Sequence, residues 1–276
     1  MNNIDEQYKA LIAEILKNGV SKEDRTGTGT RSLFGTQIKH DMHLGFPLLT
    51  IKKVFFNNAV TELLWMLQGR TDIKYLTDHN VNYWTPDYER SKRTDGTLGK
   101  VYGYQWRNFN GQDQIRTLCE TLAKEPTSRR MLVSAWNPAD MEDMALPPCH
   151  YGFQVYIRNR HLDLIWTQRS VDVFLGLPYD IAIYGLLLVL LAKGHGYIPG
   201  RLTGQFGDTH LYNNHIEQAK EAINRTSKDL PSVDVFQGLS IVRGAGNYLY
   251  IPGHADITLN NYKPHPHIKA ELSVGK

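Results

Sequence analysis

Two cysteines occur in the 276 residues, and they sit in different company. Cys119 falls in the apolar stripe Ile115, Leu118, Cys119, Leu122 and reads as a small core residue. Cys149 stands in LPPCHYGFQ, behind two prolines that fix the backbone and at the start of a strand-like stretch. A nucleophilic thiol needs a lowered pKa, which nearby cations supply. Arginines are dense in the candidate stretches: Arg25 in DRTGTGTRS, Arg129 and Arg130 in SRR, Arg169 between Gln168 and Ser170. Paired arginines are usually a solvated face. Several guanidinium forks meeting at one point would instead suit a phosphate dianion. His150 beside Cys149 invites a Cys-His pair, but neighbours on a strand point to opposite faces.

Acids and hydroxyls mark three further places. Asp180 in LGLPYDI opens a long apolar helix, either as its cap or as a group that selects a substrate. Glu62 is the one acid in the apolar helical stretch 55–69. GDTHLYNNH (207–215) reads as an Asp/Thr cap, or as a site where His210 and Tyr212 hydrogen-bond a sugar hydroxyl. His210 and His215 lack an i, i+4 spacing with an acidic partner, so no metal is assigned.

The elements that must position these residues follow from periodicity. Residues 4–17 place Ile4, Tyr8, Leu11, Ile12 and Ile15 on one helical face. The Gly-Thr loop leads into a strand at 31–40. Helices are expected at 55–69 and 113–124, with short helix and loop across 71–92, where Tyr83 and Trp84 stand together. MLVSAW, HYGFQVYI and HLDLIWTQ read as strands, the last two joined by a tight Asn159-Arg160 turn. A helix at 180–193, a strand at 200–207 and a helix from 211 to about 223 follow, then several β-like stretches from 230. With no linker or repeat, one α/β domain over 1–276 is the simplest reading.

Composition narrows the class. A net charge of +3 suits an anionic small substrate and is too weak to argue for nucleic acid. The polar start MNNIDEQYK shows no secretory signal. The apolar run 181–192 is too short for a bilayer and reads as a core helix. Two cysteines make no disulfide framework. A soluble cytoplasmic protein, without membrane or stable nucleic-acid partner, is expected.

Ordered motifs then carry a resemblance. DRTGTGT (24–30), ELLWMLQG (62–69), VYGYQWR (101–107), SRRMLVSAWNP (128–138), LPPCH (146–150), QRSVDVFLGLPYDIA (168–182), GDTHLYNNH and PHPHIK (264–269) make the chain similar to thymidylate synthases from about residue 5 onward. The resemblance implies an α/β (α+β) fold with a large twisted mixed sheet flanked by helices, two sheets packing back to back in a homodimer. It implies folate-dependent one-carbon transfer to C5 of a pyrimidine nucleotide, with 5,10-methylenetetrahydrofolate as co-substrate. By position, Cys149 would add to C6. Arg25 and Arg169, with Arg129 and Arg130 from the other subunit, would hold the 5′-phosphate, assisted by Ser170. Gln168 would join the substrate site, and His210 and Tyr212 would hold the 3′-OH. Glu62, Tyr102 and His150 would organise proton transfer. Trp84, Tyr83, Asp172, Leu175, Gly176, Tyr179 and the tail residue Val274 would form the folate site.

One position departs. The family's usual residue at Asp180 is Asn, whose amide satisfies both the N3–H and the O4 of uracil. A carboxylate instead accepts from the N4 amino group of cytosine, sharing a proton with N3, and opposes O4 of uracil. Mismatched buried polar groups cost roughly 1–3 kcal/mol each, and discrimination of this kind reaches on the order of 10⁴. The expected substrate is therefore dCMP and the expected product 5-hydroxymethyl-dCMP. Family members with Asp here resemble hydroxymethylases more often than methylases. A dCMP methyltransferase, a thymidylate synthase tolerating Asp180 and a CMP hydroxymethylase are the alternatives, with a nucleotide- or RNA-binding relative as the non-enzyme one. A role in viral DNA modification, in the host cytoplasm, is an analogy only. Trp84 and the folate-closing tail KAELSV argue for hydride transfer, whereas the extra Gly275-Lys276 displaces the terminal carboxylate.

Overall fold

A computed structural model describes residues 3–242, 244 and 247–273. The first helix, α1 (Asn3–Asn18), buries the stripe its spacing predicts. Strand β1 (Val20–Lys22), the Gly-Thr loop and β2 (Thr30–Asp41) follow. Five helices come next: α2 (Phe56–Leu67), α3 (Ile73–Asp78), α4 (Thr85–Arg90), α5 (Tyr102–Asn108) and α6 (Gln114–Lys124). Then come β3 (Leu132–Ser134), β4 (His150–Arg158), β5 (His161–Asp172), α7 (Leu177–His195), β6 (Ile198–Tyr212) and α8 (Ile216–Ile223). The C-terminal part adds β7 (Ser232–Val235), β8 (Ser240–Val242), β9 (Tyr248–Tyr250) and β10 (Ile257–Asn260), which form two small ribbons.

Among the described residues, six strands make one mixed sheet in the order β1-β2-β6-β5-β4-β3. Every pair is antiparallel except β5 and β6. Parallel neighbours need a crossover, and α7 supplies it. The C-terminal ends of β5 and β6 therefore share one edge, where Asp172 pairs with His210. Antiparallel β4 begins at that same edge, with His150 opposite Gln168. Topology thus brings together the LPPCH, QRS and GDTHLY segments.

The 158–161 hairpin closes with Asn159 and Arg160 both left-handed, at φ 48° and 65°, the geometry that matches strand twist. Helix α7 is apolar on all sides and packs on β5, β6 and α2. At 19 residues it is long and apolar enough to span a bilayer, although the 181–192 run alone reads as too short. Pro178 starts it earlier and Gly196, at φ 71°, stops it. Most of its length is buried in the core, where the ring of Tyr184 stacks on Trp166 with centroids 5.2 Å apart.

Other elements also differ from the sequence expectation. The expected strand 200–207 runs on through Tyr212, because β2 and β5 both pair with its last residues. The helix expected from 211 begins only at Ile216. MLVSAW yields three strand residues, and α5 forms where no apolar stripe announces a helix.

Candidate active site

The chain around Cys149 is held by three groups. Its backbone N–H donates to the Tyr102 hydroxyl at 2.8 Å, and its carbonyl accepts from the Arg169 N–H at 2.9 Å. The Arg169 guanidinium donates to the carbonyls of Pro148 (2.9 Å) and Pro147 (3.0 Å). The two prolines give up their own N–H groups but keep carbonyls, and Arg169 collects both. The expectation of a depressed thiol pKa needs correction. Arg169 and Arg25 do lower it, but packing around the sulfur wins and pushes the thiol up to about 11. Burial disfavours the thiolate more than two partly solvated guanidinium groups favour it. Cys119 is buried and pushed up to about 12 by the same cause.

Asp180 is not a helix cap. Gly176 occupies the N-cap position of α7 without a side-chain bond, and Asp180 lies buried in the first turn. Its Oδ2 accepts from Gln168 Nε2 at 2.9 Å. The Gln168 amide is oriented by its other contacts: Oε1 accepts from the Trp166 indole N–H (3.2 Å), and Nε2 also donates to the Ser170 carbonyl (3.1 Å). An indole can only donate, so the amide must turn its NH₂ toward Asp180. Burial pushes the Asp180 carboxyl up to about 7, against the pull of Gln168.

His150 is buried, with Nδ1 2.8 Å from the Tyr184 hydroxyl and its ring stacked on Tyr102 at 4.2 Å. Its Nε2 lies 3.9 Å from Asp180 Oδ1. That separation is no ion pair, because burial pushes His150 down to about 3 and leaves it neutral. With Nδ1 engaged by Tyr184, the Cys-His pairing finds no support.

Glu62, on α2, is buried at the same centre. The Trp84 indole donates to its Oε1 at 2.7 Å and the Tyr83 hydroxyl donates to its Oε2. Burial raises its pKa and the two donors lower it, with burial ahead. Trp84 packs edge-on against Tyr102, centroids 5.9 Å apart, which ties this carboxylate to the Cys149 loop.

The phosphate candidates separate. Arg25 is exposed on a loop built by Asp24, whose carboxylate accepts from the Thr26 hydroxyl (2.6 Å) and the Gly29 N–H (2.8 Å). Gly27 and Gly29 both sit at φ 75°, which a side chain would strain. Arg25 and Arg169 both act on the Cys149 thiol. Arg129 and Arg130 stand exposed at the entry to edge strand β3, apart from the contacts of Arg169. Half-buried Ser170 pairs with Asp208 across β5 and β6. His210 and Tyr212 lie at the end of β6, rings 5.2 Å apart. His210 Nδ1 is 3.3 Å from Asp208 Oδ1, which also accepts from Ser32 at 2.6 Å.

Beside them runs a half-buried wall of Leu175, Gly176 and Tyr179, with Tyr83 against Tyr179 at 5.9 Å. Asp172 closes it, its Oδ1 accepting from the N–H groups of Phe174 (2.9 Å) and Leu175 (3.1 Å). Val274, with Gly275-Lys276, lies outside the described residues.

The profile of the family described as thymidylate synthase matches residues 6–274. The chain belongs to the thymidylate synthase family. Membership brings folate-dependent one-carbon transfer to C5 of a pyrimidine nucleotide, with methylenetetrahydrofolate as co-substrate. Thymidylate synthase family members are homodimers that bind nucleotide and folate.

Sequence reasoning passed over Tyr184, and it read Asp208 only as a cap and Asp24 only as the start of a loop. Tyr184 had a signal: it stands four residues after Asp180, so the two polar groups share one face of an otherwise apolar helix.

Proposed function

We propose that the protein hydroxymethylates dCMP at C5. The observation that carries this reading is Asp180: a buried carboxyl, oriented by Gln168, close enough to Cys149 and Glu62 for their charges to interact. A carboxyl poised near neutrality can keep one proton for N3 of cytosine while its other oxygen accepts from the N4 amino group. As a carboxylate it opposes O4 of uracil with a second acceptor.

In this reading Cys149 adds to C6 of the ring, its proton leaving as the bond forms, and C5 becomes nucleophilic. With burial pushing it up to about 11, the thiol is mostly protonated at neutral pH, and its proton passes to the water that Glu62 organises as the C6 bond forms. Tyr102 and Arg169 hold the loop so that Sγ meets C6. Arg25 and Arg169 bind the phosphate, Arg129 and Arg130 of a second copy completing it, with Ser170 assisting. His210 and Tyr212 bind the 3′-OH. The apolar wall of Trp84, Leu175, Gly176 and Tyr179 with one acid, Asp172, suits a flat heteroaromatic group with an N–H edge, as a folate has. Bound there, the folate supplies the one-carbon unit. Glu62 and His150 organise the water that completes the hydroxymethyl group, and Glu62, whose pKa burial raises, carries the protons. The exposed Leu132, Tyr156 and Ile165 on β3, β4 and β5 support pairing of two sheets across a homodimer interface.

The test is mass spectrometry of products from dCMP, dUMP and CMP with methylenetetrahydrofolate. The expected product is 5-hydroxymethyl-dCMP with tetrahydrofolate. An equal or better rate with dUMP overturns the base assignment. A methylated product with dihydrofolate overturns the hydroxymethyl assignment.

A further inference from the structure

The resemblance puts Tyr83 in the folate wall, yet its hydroxyl is engaged elsewhere. Tyr83 and Trp84 are consecutive, and both aim their polar tips at one buried carboxylate, one at each oxygen of Glu62. Trp84 is fixed by its own packing, 6.0 Å from the ring of Trp65 and 5.9 Å from that of Tyr102. The Tyr83 ring leans on Tyr179. The two donors differ in kind. An indole N–H donates only. A phenol hydroxyl donates and accepts. When Glu62 takes up a proton, Trp84 cannot change its role, whereas Tyr83 can accept that proton's hydrogen bond and turn its own hydrogen away. Tyr179 and Asp180 are the other polar groups near enough to act on the Tyr83 hydroxyl.

We propose that Tyr83 is a positioning residue for Glu62: its hydroxyl locks the carboxylate at Oε2 and switches from donor to acceptor as Glu62 gains a proton. The one bond that changes is the Glu62 O–H, whose proton is exchanged with water, while Tyr83 keeps its own hydrogen and reorients. The consequence for turnover rests on the reading of Glu62 as the proton-handling group given above.

Tyr83→Phe keeps the ring against Tyr179 and removes only the hydroxyl. The first readout needs no substrate: carbon-13 NMR titration of the Glu62 carboxyl, identified as the signal lost in Glu62→Gln. Losing one donor to the charged form is expected to raise its midpoint by about one pH unit. The second readout is steady-state kinetics with whichever nucleotide is turned over. We expect kcat to fall about tenfold, its acid limb to move up by about the same one unit, and both KM values to stay within about twofold. An unchanged midpoint overturns the proposal, as does a rise in folate KM alone, which would make Tyr83 only part of the wall. A moved midpoint with unchanged kcat upholds the Tyr83–Glu62 link and overturns the catalytic reading of Glu62.

Discussion

Replacing Asp180 with Asn should make the unliganded protein more stable, increasingly so at higher pH. The carboxyl is buried at the start of α7 and pushed from its ordinary 3.8 up to about 7. Between those values the native state holds a proton that the unfolded chain releases. Stability therefore falls as pH rises from about 4 through 7, and the whole penalty is present above 7. At about 1.4 kcal/mol per pKa unit its ceiling is on the order of 4 kcal/mol. At pH 5 the native carboxyl is still protonated, and the penalty is about 2 kcal/mol; by pH 8.5 it is about 4 kcal/mol. The Asn variant has no such group, and its amide oxygen can still accept from Gln168. The stability gap between the two proteins should thus widen by roughly 2–3 kcal/mol from pH 5 to 8.5.

Urea unfolding of both proteins at matched concentration, without nucleotide or folate, reads this gap directly, because titrating groups that do not interact with Asp180 cancel in the difference. In thermal scans it corresponds to roughly 5 °C or more for a chain of this size. The same variant is expected to lose turnover of dCMP by at least about 100-fold and gain dUMP, since the amide matches N3–H and O4. Parallel stability curves across that pH range would show that Asp180 is not held as a strained, proton-seeking carboxyl. The reasoning about cytosine would lose its physical footing with them.

Other consequences are equally specific. Gln168→Leu strands the Trp166 N–H and one Asp180 oxygen; unfolding should show a loss of about 2–4 kcal/mol, and a loss under about 0.5 kcal/mol would mean that neighbours replace both bonds. With its thiol pushed up to about 11, Cys149 should react with iodoacetamide about tenfold faster per pH unit from 7 to 10 in the unliganded protein; a rate that levels off near pH 7, followed by peptide mass spectrometry, would contradict this. Arg160→Gly relieves a left-handed residue at φ 65° in the 158–161 hairpin and should stabilise by about 0.5–1 kcal/mol in urea unfolding, any destabilisation counting against the strain argument.

Much of the site was legible because its residues sit at element ends that periodicity marks. LPPCH precedes a strand, QRS ends one, and LGLPYDI starts a helix. What the sequence hid depends on distance through space. Asp180 reads as a cap from its neighbours, and only the return of α7 over β5 shows that Gln168, twelve positions earlier, is its partner. The thiol of Cys149 reads as activated because arginines crowd the sequence around it. In the folded chain those cations are partly solvated while the sulfur is enclosed, so burial outweighs charge. The strand through His210 and Tyr212 reads as a helix start because Asp and Asn favour caps locally, and pairing with two neighbouring strands overrides that preference. These misreadings share a cause: local propensity and local charge are visible in sequence, whereas desolvation and long-range pairing are not. The same holds for Tyr83. Its position beside Trp84 suggested an aromatic wall, and the hydroxyl that reaches Glu62, twenty-one residues away, turned it from lining into a group that positions that carboxyl.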